Sequence, residues 1–227
     1  MNKKYNFIDL FAGCGGLSEG FMQTGCFDAI AHVEIDKWCC ETLKSRMIHY
    51  GHNISDSEKS VLNIDITRDD VNDCIDRVCL GRAVDVIIGG PPCQAYSTAG
   101  RARDDKGMKD DPRNFLFENY VKVLNHFKPK VFVFENVTGI LTARINGQKI
   151  INSVFEKLSE GYDLLTCPSE LVFNTANFGV PQVRKRVIII GVRKGLGINA
   201  SDIYESIRLT HYDADMPIEE RKNLDEG

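Results

Sequence analysis

No apolar run in this 227-residue chain approaches the roughly 20 residues that a bilayer-spanning helix requires, so no membrane partner is expected. The opening Met1-Asn2-Lys3-Lys4 leads straight into a strand-like segment and lacks a signal-peptide profile, which points to a cytoplasmic protein. The eight cysteines include no CxxC pair and no paired metal spacing; neither a metal site nor a disulfide framework is expected, and in that compartment the thiols are expected to be free. None of the five histidines sits on a recognisable motif. Excess positive charge is also missing, since the formal net charge is −4. Nucleic-acid binders ordinarily carry a basic footprint. Either the chain binds no polyanion, or its basic surface is local, or the main binding domain lies outside this sequence. Internal repeats and low-complexity tracts are absent. What remains, 43% hydrophobic and 26% charged, is the composition of a soluble globular protein able to bury one good core and a small appendage.

The stretch around which the chain is organised is Gly89-Gly90-Pro91-Pro92-Cys93-Gln94. Val84-Asp85-Val86-Ile87-Ile88 reads as a short buried strand, and the glycines and prolines stop it abruptly. Cys93 is thereby delivered on a stiff turn at the carboxyl end of a strand, where open α/β sheets bind ligands. A buried free cysteine is the competing reading.

Earlier in the chain, Tyr5 to Phe11 reads as a first strand, broken by Ala12-Gly13-Cys14-Gly15-Gly16, after which Leu17, Phe21 and Met22 fall at helical spacing. A strand, a glycine turn and a helix make a nucleotide-cradling unit, although a plain tight turn has the same pattern. Ser18 stands where the dinucleotide fingerprint needs its third glycine, which favours a nucleoside without a pyrophosphate. A second apolar run, Ala29 to Val33, ends in Glu34-Ile35-Asp36, an acidic end placed for ribose hydroxyls. Trp38 to Tyr50 reads as a helix whose apolar residues serve the core, and Gly51 to Lys59 as a polar loop. A third strand, Val61 to Ile64, ends at Asp65-Ile66-Thr67, where Asp65 either accepts from an amino group or caps a helix starting near Arg68. A further helix is predicted over Val71 to Leu80.

The segment from Ala95 to Pro112 is a long polar loop holding Arg101, Arg103, Lys106 and Lys109; such a loop is a lid, a binding element or a solvated insertion. An amphipathic helix follows over Asn114 to Phe127, and then Val131 to Phe134, a continuous apolar run expected of a strand buried on both faces. Glu135-Asn136-Val137 ends it, and a carboxylate there is costly to bury without partners. Gln148 to Leu158 reads as a helix, Leu164 to Phe173 and Val187 to Val192 as strands. Arg184 and Arg186 alternate, so they point to one side of an extended segment, either for a site or as the charge protecting an edge strand. From Lys194 onward the chain is polar and weakly periodic.

Five strand-like runs therefore end in polar or glycine chemistry, at Gly13, Glu34, Asp65, Cys93 and Glu135, and in a parallel sheet those ends face one crevice. The first three suit an adenosine-type ligand; the last two add a nucleophile and an acid. A thiol, a carboxyl and two guanidinium groups suit covalent attack on an electron-poor heterocycle better than peptide hydrolysis, which would need a histidine base.

The sequence at this point resembles the cytosine-C5 methyltransferases. Asp9-Leu10-Phe11-Ala12-Gly13-Cys14-Gly15-Gly16 is similar to the family's first motif, Pro91-Pro92-Cys93-Gln94 to its nucleophile motif, Glu135-Asn136-Val137 to its acid motif and Gln182-Val183-Arg184-Lys185-Arg186 to its arginine motif, all in family order. The resemblance implies a Rossmann-like methyltransferase fold, a mostly parallel, doubly wound α/β sheet with one antiparallel strand. It implies S-adenosyl-L-methionine as methyl donor, S-adenosyl-L-homocysteine as product and no metal. Phe11, Ala12, Gly13, Gly15, Gly16 and Leu17 would line the donor pocket, with Glu34 on the ribose, Ile35 against the adenine, Asp65 on its amino group beside Ile66, and Pro91 and Leu116 completing it. Cys93, Glu135, Arg184 and Arg186 would be catalytic, acting on a cytosine flipped out of double-stranded DNA, and Gln94, Ser97 and Arg101 would lie near that base or its backbone.

The resemblance also implies a catalytic domain over residues 1–193 and a polar extension, 194–227, leading toward a recognition domain that this sequence does not contain. That absence accounts for the lack of global positive charge. A cognate restriction endonuclease, or a second subunit carrying the recognition domain, is the implied partner, and a monomer is expected. Three alternatives stand beside this reading: a transfer-RNA cytosine-5 methyltransferase of the same fold, a catalytically silent regulatory homologue, disfavoured by the presence of Cys93, Glu135 and Arg186, and a nicotinamide oxidoreductase, disfavoured by the glycine pattern.

Overall fold

A computed structural model of the protein describes residues 4–92, 115–145 and 147–207, which fall into two units, one ending at Phe134 and the other beginning at Glu135. The first unit contains β1 (Tyr5–Leu10), α1 (Gly16–Gln23), β2 (Phe27–Glu34), α2 (Lys37–His49), α3 (Ile54–Ser60), β3 (Val61–Asn63), α4 (Val71–Cys79), β4 (Val86–Gly89), α5 (Leu116–Phe127) and the start of β5 (Val131–Val137). Its strands lie in the order β3-β2-β1-β4-β5, and every neighbouring pair is parallel. Parallel neighbours need crossovers, so the carboxyl ends of these strands share one rim.

Alternation along the strands explains why helices cover both faces. Phe7, Ala29, Val86 and Ile88 form one buried layer, against which Leu17, Phe21 and Met22 of α1 pack together with Val131 and Val133. Phe132 and Phe134 point the other way and meet the ring of Tyr120 in α5 edge-on, at centroid distances of 6.3 and 5.3 Å. The sheet is doubly wound, as expected. Phe132 and Phe134 are fully buried while Val131 and Val133 are only partly so; the run expected to be buried on both faces is less covered on the α1 side.

A bulge between β1 and β2 pairs Phe7 with Ala29 and Ile8 with Ala31, which sets His32 opposite Asp9. Burial pushes the His32 imidazole down to about 4, so it packs as a neutral ring, edge-on to Phe7. Gly89, paired with Leu10, is a glycine for steric reasons: a Cβ there would lie 2.5 Å from the Leu10 carbonyl oxygen and 3.1 Å from the Tyr120 ring.

The second unit contains the end of β5, the short hairpin β6 (Arg144–Ile145) and β7 (Gln148–Lys149), α6 (Ile150–Ser159), β8 (Tyr162–Leu164), α7 (Pro168–Leu171), β9 (Val172–Asn174), β10 (Lys185–Arg193) and α8 (Ala200–Ser206). β10 pairs antiparallel with β9 at one end and with β8 at the other, so the antiparallel part is wider than a single strand. Among the described residues no helix is long and apolar enough to cross a membrane.

Four local expectations need correction. Of the apolar residues of the helix over Trp38 to Tyr50 assigned to the core, Leu43 and Met47 are buried but Trp38 is 74% exposed. The segment read as a polar loop over Gly51 to Lys59 contains α3, started by Asn53, whose side chain accepts the Asp56 N–H at 2.7 Å. The strand expected over Leu164 to Phe173 is split by α7, because Pro168 presets the first position of a helical turn. The polar stretch after Lys194 holds α8, started by a reciprocal capping box of Asn199 and Asp202 and fixed to β10 by the Tyr204 hydroxyl, which donates to Ile188 O and accepts from Ile190 N. The loop expected over Ala95 to Pro112 lies outside the described residues.

Gly89→Ala is expected to destabilise the fold by about 1–3 kcal/mol, because the Leu10 backbone cannot give way as a side chain could. A urea denaturation midpoint equal to that of the parent protein would contradict this.

Candidate active site

The rim begins where β1 stops. Phe11 adopts φ 58, a left-handed conformation that costs a non-glycine residue roughly 1–3 kcal/mol and persists only where its surroundings enforce it. Gly13 and Gly15 continue the turn with φ 54 and 84, and Gly15 N–H closes it on Ala12 O at 2.9 Å. The turn is seated on α2: Ala12 packs with Cys40, Leu43, Met47 and Val61, and a Cβ on Gly15 would meet Leu43 Cδ1 at 2.5 Å. Gly15 caps α1 but has no side chain to do it with. Asp9 of β1 fills that role from below, accepting from Ser18 Oγ at 2.6 Å. A carboxylate is favourable beside a helix N-terminus. Asp9 is buried all the same, its Oδ1 has no partner, and burial pushes its carboxyl from the ordinary 3.8 up to about 7.

Glu34, the last residue of β2, joins that turn to the next one. Its Oε2 accepts Gly13 N–H and its Oε1 accepts Asp36 N–H, both at 2.8 Å. Asp36 in turn caps α2 through Cys39 N–H, which holds its carboxyl below the usual range. Asn63 at the end of β3 donates to the carbonyls of Glu34 and Ile35. The side chain of Ile35 is left 66% exposed, an apolar group on a polar rim. Asp65 is exposed and its Oδ1 accepts both the N–H and the hydroxyl of Thr67, a local turn; the following helix starts at Val71 rather than near Arg68. Ile66 is buried, and its carbonyl accepts from Asn119.

Gly16 is exposed at the start of α1, while Leu17 packs into the core beside Phe7 and Ile88. Pro91 is buried after β4, and Leu116 is half-buried at the start of α5. Cys93, Gln94, Ser97 and Arg101 lie outside the described residues.

In the second unit, Glu135 lies half-buried in β5 and accepts from Arg186 Nε at 2.9 Å. Burial raises the Glu135 carboxyl above its ordinary range even though Arg186 and Arg184 both pull it down. Arg186 also donates through Nη1 to Lys185 O. Arg184 is exposed, and buried Asn174 fixes the backbone there, its Oδ1 accepting from Arg184 N and Ala176 N. Thr175 completes the support, with its N–H on Arg184 O and its hydroxyl on Gln182 O at 2.6 Å. Arg186 contacts Glu135, while Arg184 acts on it only through its charge. The supporting pairs Asp9–Ser18 and Asn174–Thr175 were not anticipated. Asp9 had a legible signal, a carboxylate inside an otherwise apolar strand; Asn174 and Thr175 had none.

Residues 5–226 match the family model for C-5 cytosine-specific DNA methylases. The chain belongs to that family. It is 36% identical over 242 residues to the type II methyltransferase M.Bpa9945I of Bacillus paralicheniformis, covering 83% of this chain and 54% of that one. With M.XorII of Xanthomonas oryzae the identity is 41% over 196 residues, covering 85% and 42%. The chain thus spans about half the length of the curated relatives it matches. A candidate DNA modification methyltransferase encoded within an E. coli prophage has a similar crystal structure, with a TM-score of 0.67 at 31% identity, over 88% of this chain and 50% of that one. The DNMT2 of Spodoptera frugiperda, at TM-score 0.59 and 22% identity over 86% of this chain and 51% of that one, shares the fold. The fold is that of the S-adenosylmethionine-dependent methyltransferases.

The buried acid gives this family member a pH signature. The folded state holds the Asp9 proton more tightly than the unfolded chain does, so ionising it costs stability. Stability is expected to fall as pH rises from about 4 through about 7. Asp9→Asn keeps an acceptor for Ser18 and should flatten that slope in urea titrations run across the range; an unchanged slope would show that Asp9 does not carry it.

Proposed function

We propose that this family member transfers a methyl group from S-adenosyl-L-methionine to C5 of a cytosine flipped out of duplex DNA. The observation that carries the reading is the half-buried Glu135–Arg186 pair, an acid whose carboxyl is raised above its ordinary range by burial and held in place by a guanidinium. That combination suits a ring nitrogen and a neighbouring carbonyl oxygen. The glycine turn suits the donor: Asp9 and Glu34 already take up turn and helix-start donors, which disfavours a phosphate. The lone pairs remaining on Glu34 fit ribose hydroxyls, and exposed Ile35 fits the flat face of an adenine. Phe11, Ala12, Gly13, Gly15 and Gly16 form the turn under the donor, and Asp65, Ile66, Pro91 and Leu116 complete its surroundings. Leu17, partly buried against the core beneath, lines the pocket beside them.

The donor, when bound, supplies an electrophilic methyl group on a sulfonium. In the proposed sequence the Cys93 thiolate attacks C6, forming an S–C6 bond. Glu135 donates to N3 and accepts from the exocyclic amine, Arg186 donates to O2, and Arg184 adds positive charge beside them, so the ring electrons are drawn toward C5. C5 takes the methyl group. Loss of the C5 proton then breaks the S–C6 bond and releases 5-methylcytosine with the thiol restored. Gln94, Ser97 and Arg101 would face the displaced base or its backbone. The type II methyltransferases among the relatives support a restriction-modification setting. A cognate endonuclease or a second subunit carrying the recognition domain as partner, and a monomeric catalytic unit, are part of the same proposal.

Cys93→Ser should abolish methyl transfer to duplex DNA while leaving donor binding intact, and should form no covalent adduct with 5-fluorocytosine DNA. Transfer by that variant at the parent rate, or transfer to tRNA but not to duplex DNA by the parent protein, would overturn the proposal. Glu135→Gln should lower the turnover rate by about 10²–10⁴-fold without weakening donor affinity, as loss of a positioned acid does. Single-turnover kinetics beside a donor titration separates the two effects.

A further inference from the structure

Cys14 lies at the centre of the glycine turn, exposed, and its Sγ is 3.7 Å from Sγ of Cys39 in the first turn of α2. Two thiols in contact need only about 1.7 Å of closure to reach the roughly 2.05 Å of a disulfide bond. Glycines on both sides of Cys14 give the turn the freedom to supply it. The neighbouring Cys40 is no competitor, because it is buried and its Sγ faces the Glu34 carbonyl. Cys26 and Cys167 are exposed, but neither has a second sulfur in contact among the described residues.

We propose that Cys14 and Cys39 form a reversible disulfide when a peroxide reaches the rim, and that this bond closes the rim to the methyl donor. The second half rests on the donor reading above. In the first step the exposed Cys14 thiol gives up its proton as its sulfur attacks a peroxide oxygen; the O–O bond breaks, a sulfenic acid forms, and the departing hydroxide takes up that proton and leaves as water. Cys39 then attacks the Cys14 sulfur, the S–S bond forms as the S–O bond breaks, and the departing hydroxide takes the Cys39 proton as a second water. Cys14 is exposed and Cys39 only partly so, which makes Cys14 the sulfur that a peroxide reaches first. A thiol reductant reverses the bond by exchange. The bond would tie the segment around Gly13 to the segment around Asp36, the two partners that Glu34 holds at a fixed separation. Drawing them together narrows the space that a ribose on Glu34 requires.

The test treats purified protein with hydrogen peroxide, blocks the remaining thiols and maps peptides by mass spectrometry, alongside calorimetric titration with S-adenosyl-L-methionine. The expected result is a linked Cys14–Cys39 peptide, lighter by about 2 Da for the two hydrogens removed. Donor affinity should weaken at least about tenfold and return with dithiothreitol, an effect that Cys39→Ser lacks. Absence of the linked peptide, or its formation with donor affinity unchanged, would overturn the proposal. Binding rather than turnover is the readout because Cys93 can itself be oxidised. Reduced protein that binds no donor would instead sink the donor reading, and the linked peptide would still decide the disulfide.

Discussion

Two oxygens of one carboxylate hold the rim of the first unit together, with Gly13 N–H on one side of Glu34 and Asp36 N–H on the other. The geometry follows from the sheet: β1 and β2 run parallel with Leu10 opposite Val33, so both chains leave the sheet at the same level. Ala12 N–H on Val33 O continues the pairing past the end of β1, and Asn63 pins the far side from β3. Buried or half-buried amide donors need acceptors. In a turn built to hold a pyrophosphate the ligand supplies them; here Glu34 and Asp9 do. A turn already furnished with two acids favours a ligand that brings hydroxyl donors and positive charge.

The second unit applies the same constraint with the signs changed. Glu135 is costly to bury as an anion and costly to leave without a partner. Arg186 offsets part of that cost at 2.9 Å, and Arg184 adds a weaker field from an exposed position, yet burial still prevails and the carboxyl stays above its ordinary range. An acid in that balance holds its proton more tightly than a surface glutamate does. The balance depends on where Arg186 is placed, and the placement is made by side chains that carry no charge: Asn174 and Thr175 fix the backbone from Gln182 to Arg184 just before β10 begins.

Most of this was legible in the sequence where the physics is local. Apolar runs gave β1, β2, β3, β4 and β5 to within a few residues, and the glycine turn, Glu34, Glu135 and the paired arginines stood out because each is a polar or flexible group directly after a buried strand. The failures have physical causes. α3 and α8 are polar helices defined by caps at Asn53 and Asn199 rather than by an apolar stripe, so periodicity could not find them. The apolar letters from Leu164 to Phe173 hid the turn at Pro168. Asp9 escaped because it was read as part of a motif rather than as a charge inside a strand, and the contact of Cys14 with Cys39 joins residues that no spacing rule connects.

Net charge is the remaining observation that composition alone left open. The value of −4 is not spread evenly. In the first unit the strand ends gather Glu34, Asp36 and Asp65, all at least partly open to solvent. In the second, Arg184 and Lys185 stand exposed beside the Glu135–Arg186 pair. A carboxylate-rich rim attracts a cation such as a sulfonium, and a strand end with two exposed basic residues attracts a phosphate backbone. Of the two explanations that allow a polyanion partner on an acidic chain, a local basic surface already has candidate residues, Arg184 and Lys185, in the described structure, whatever a separate recognition domain adds.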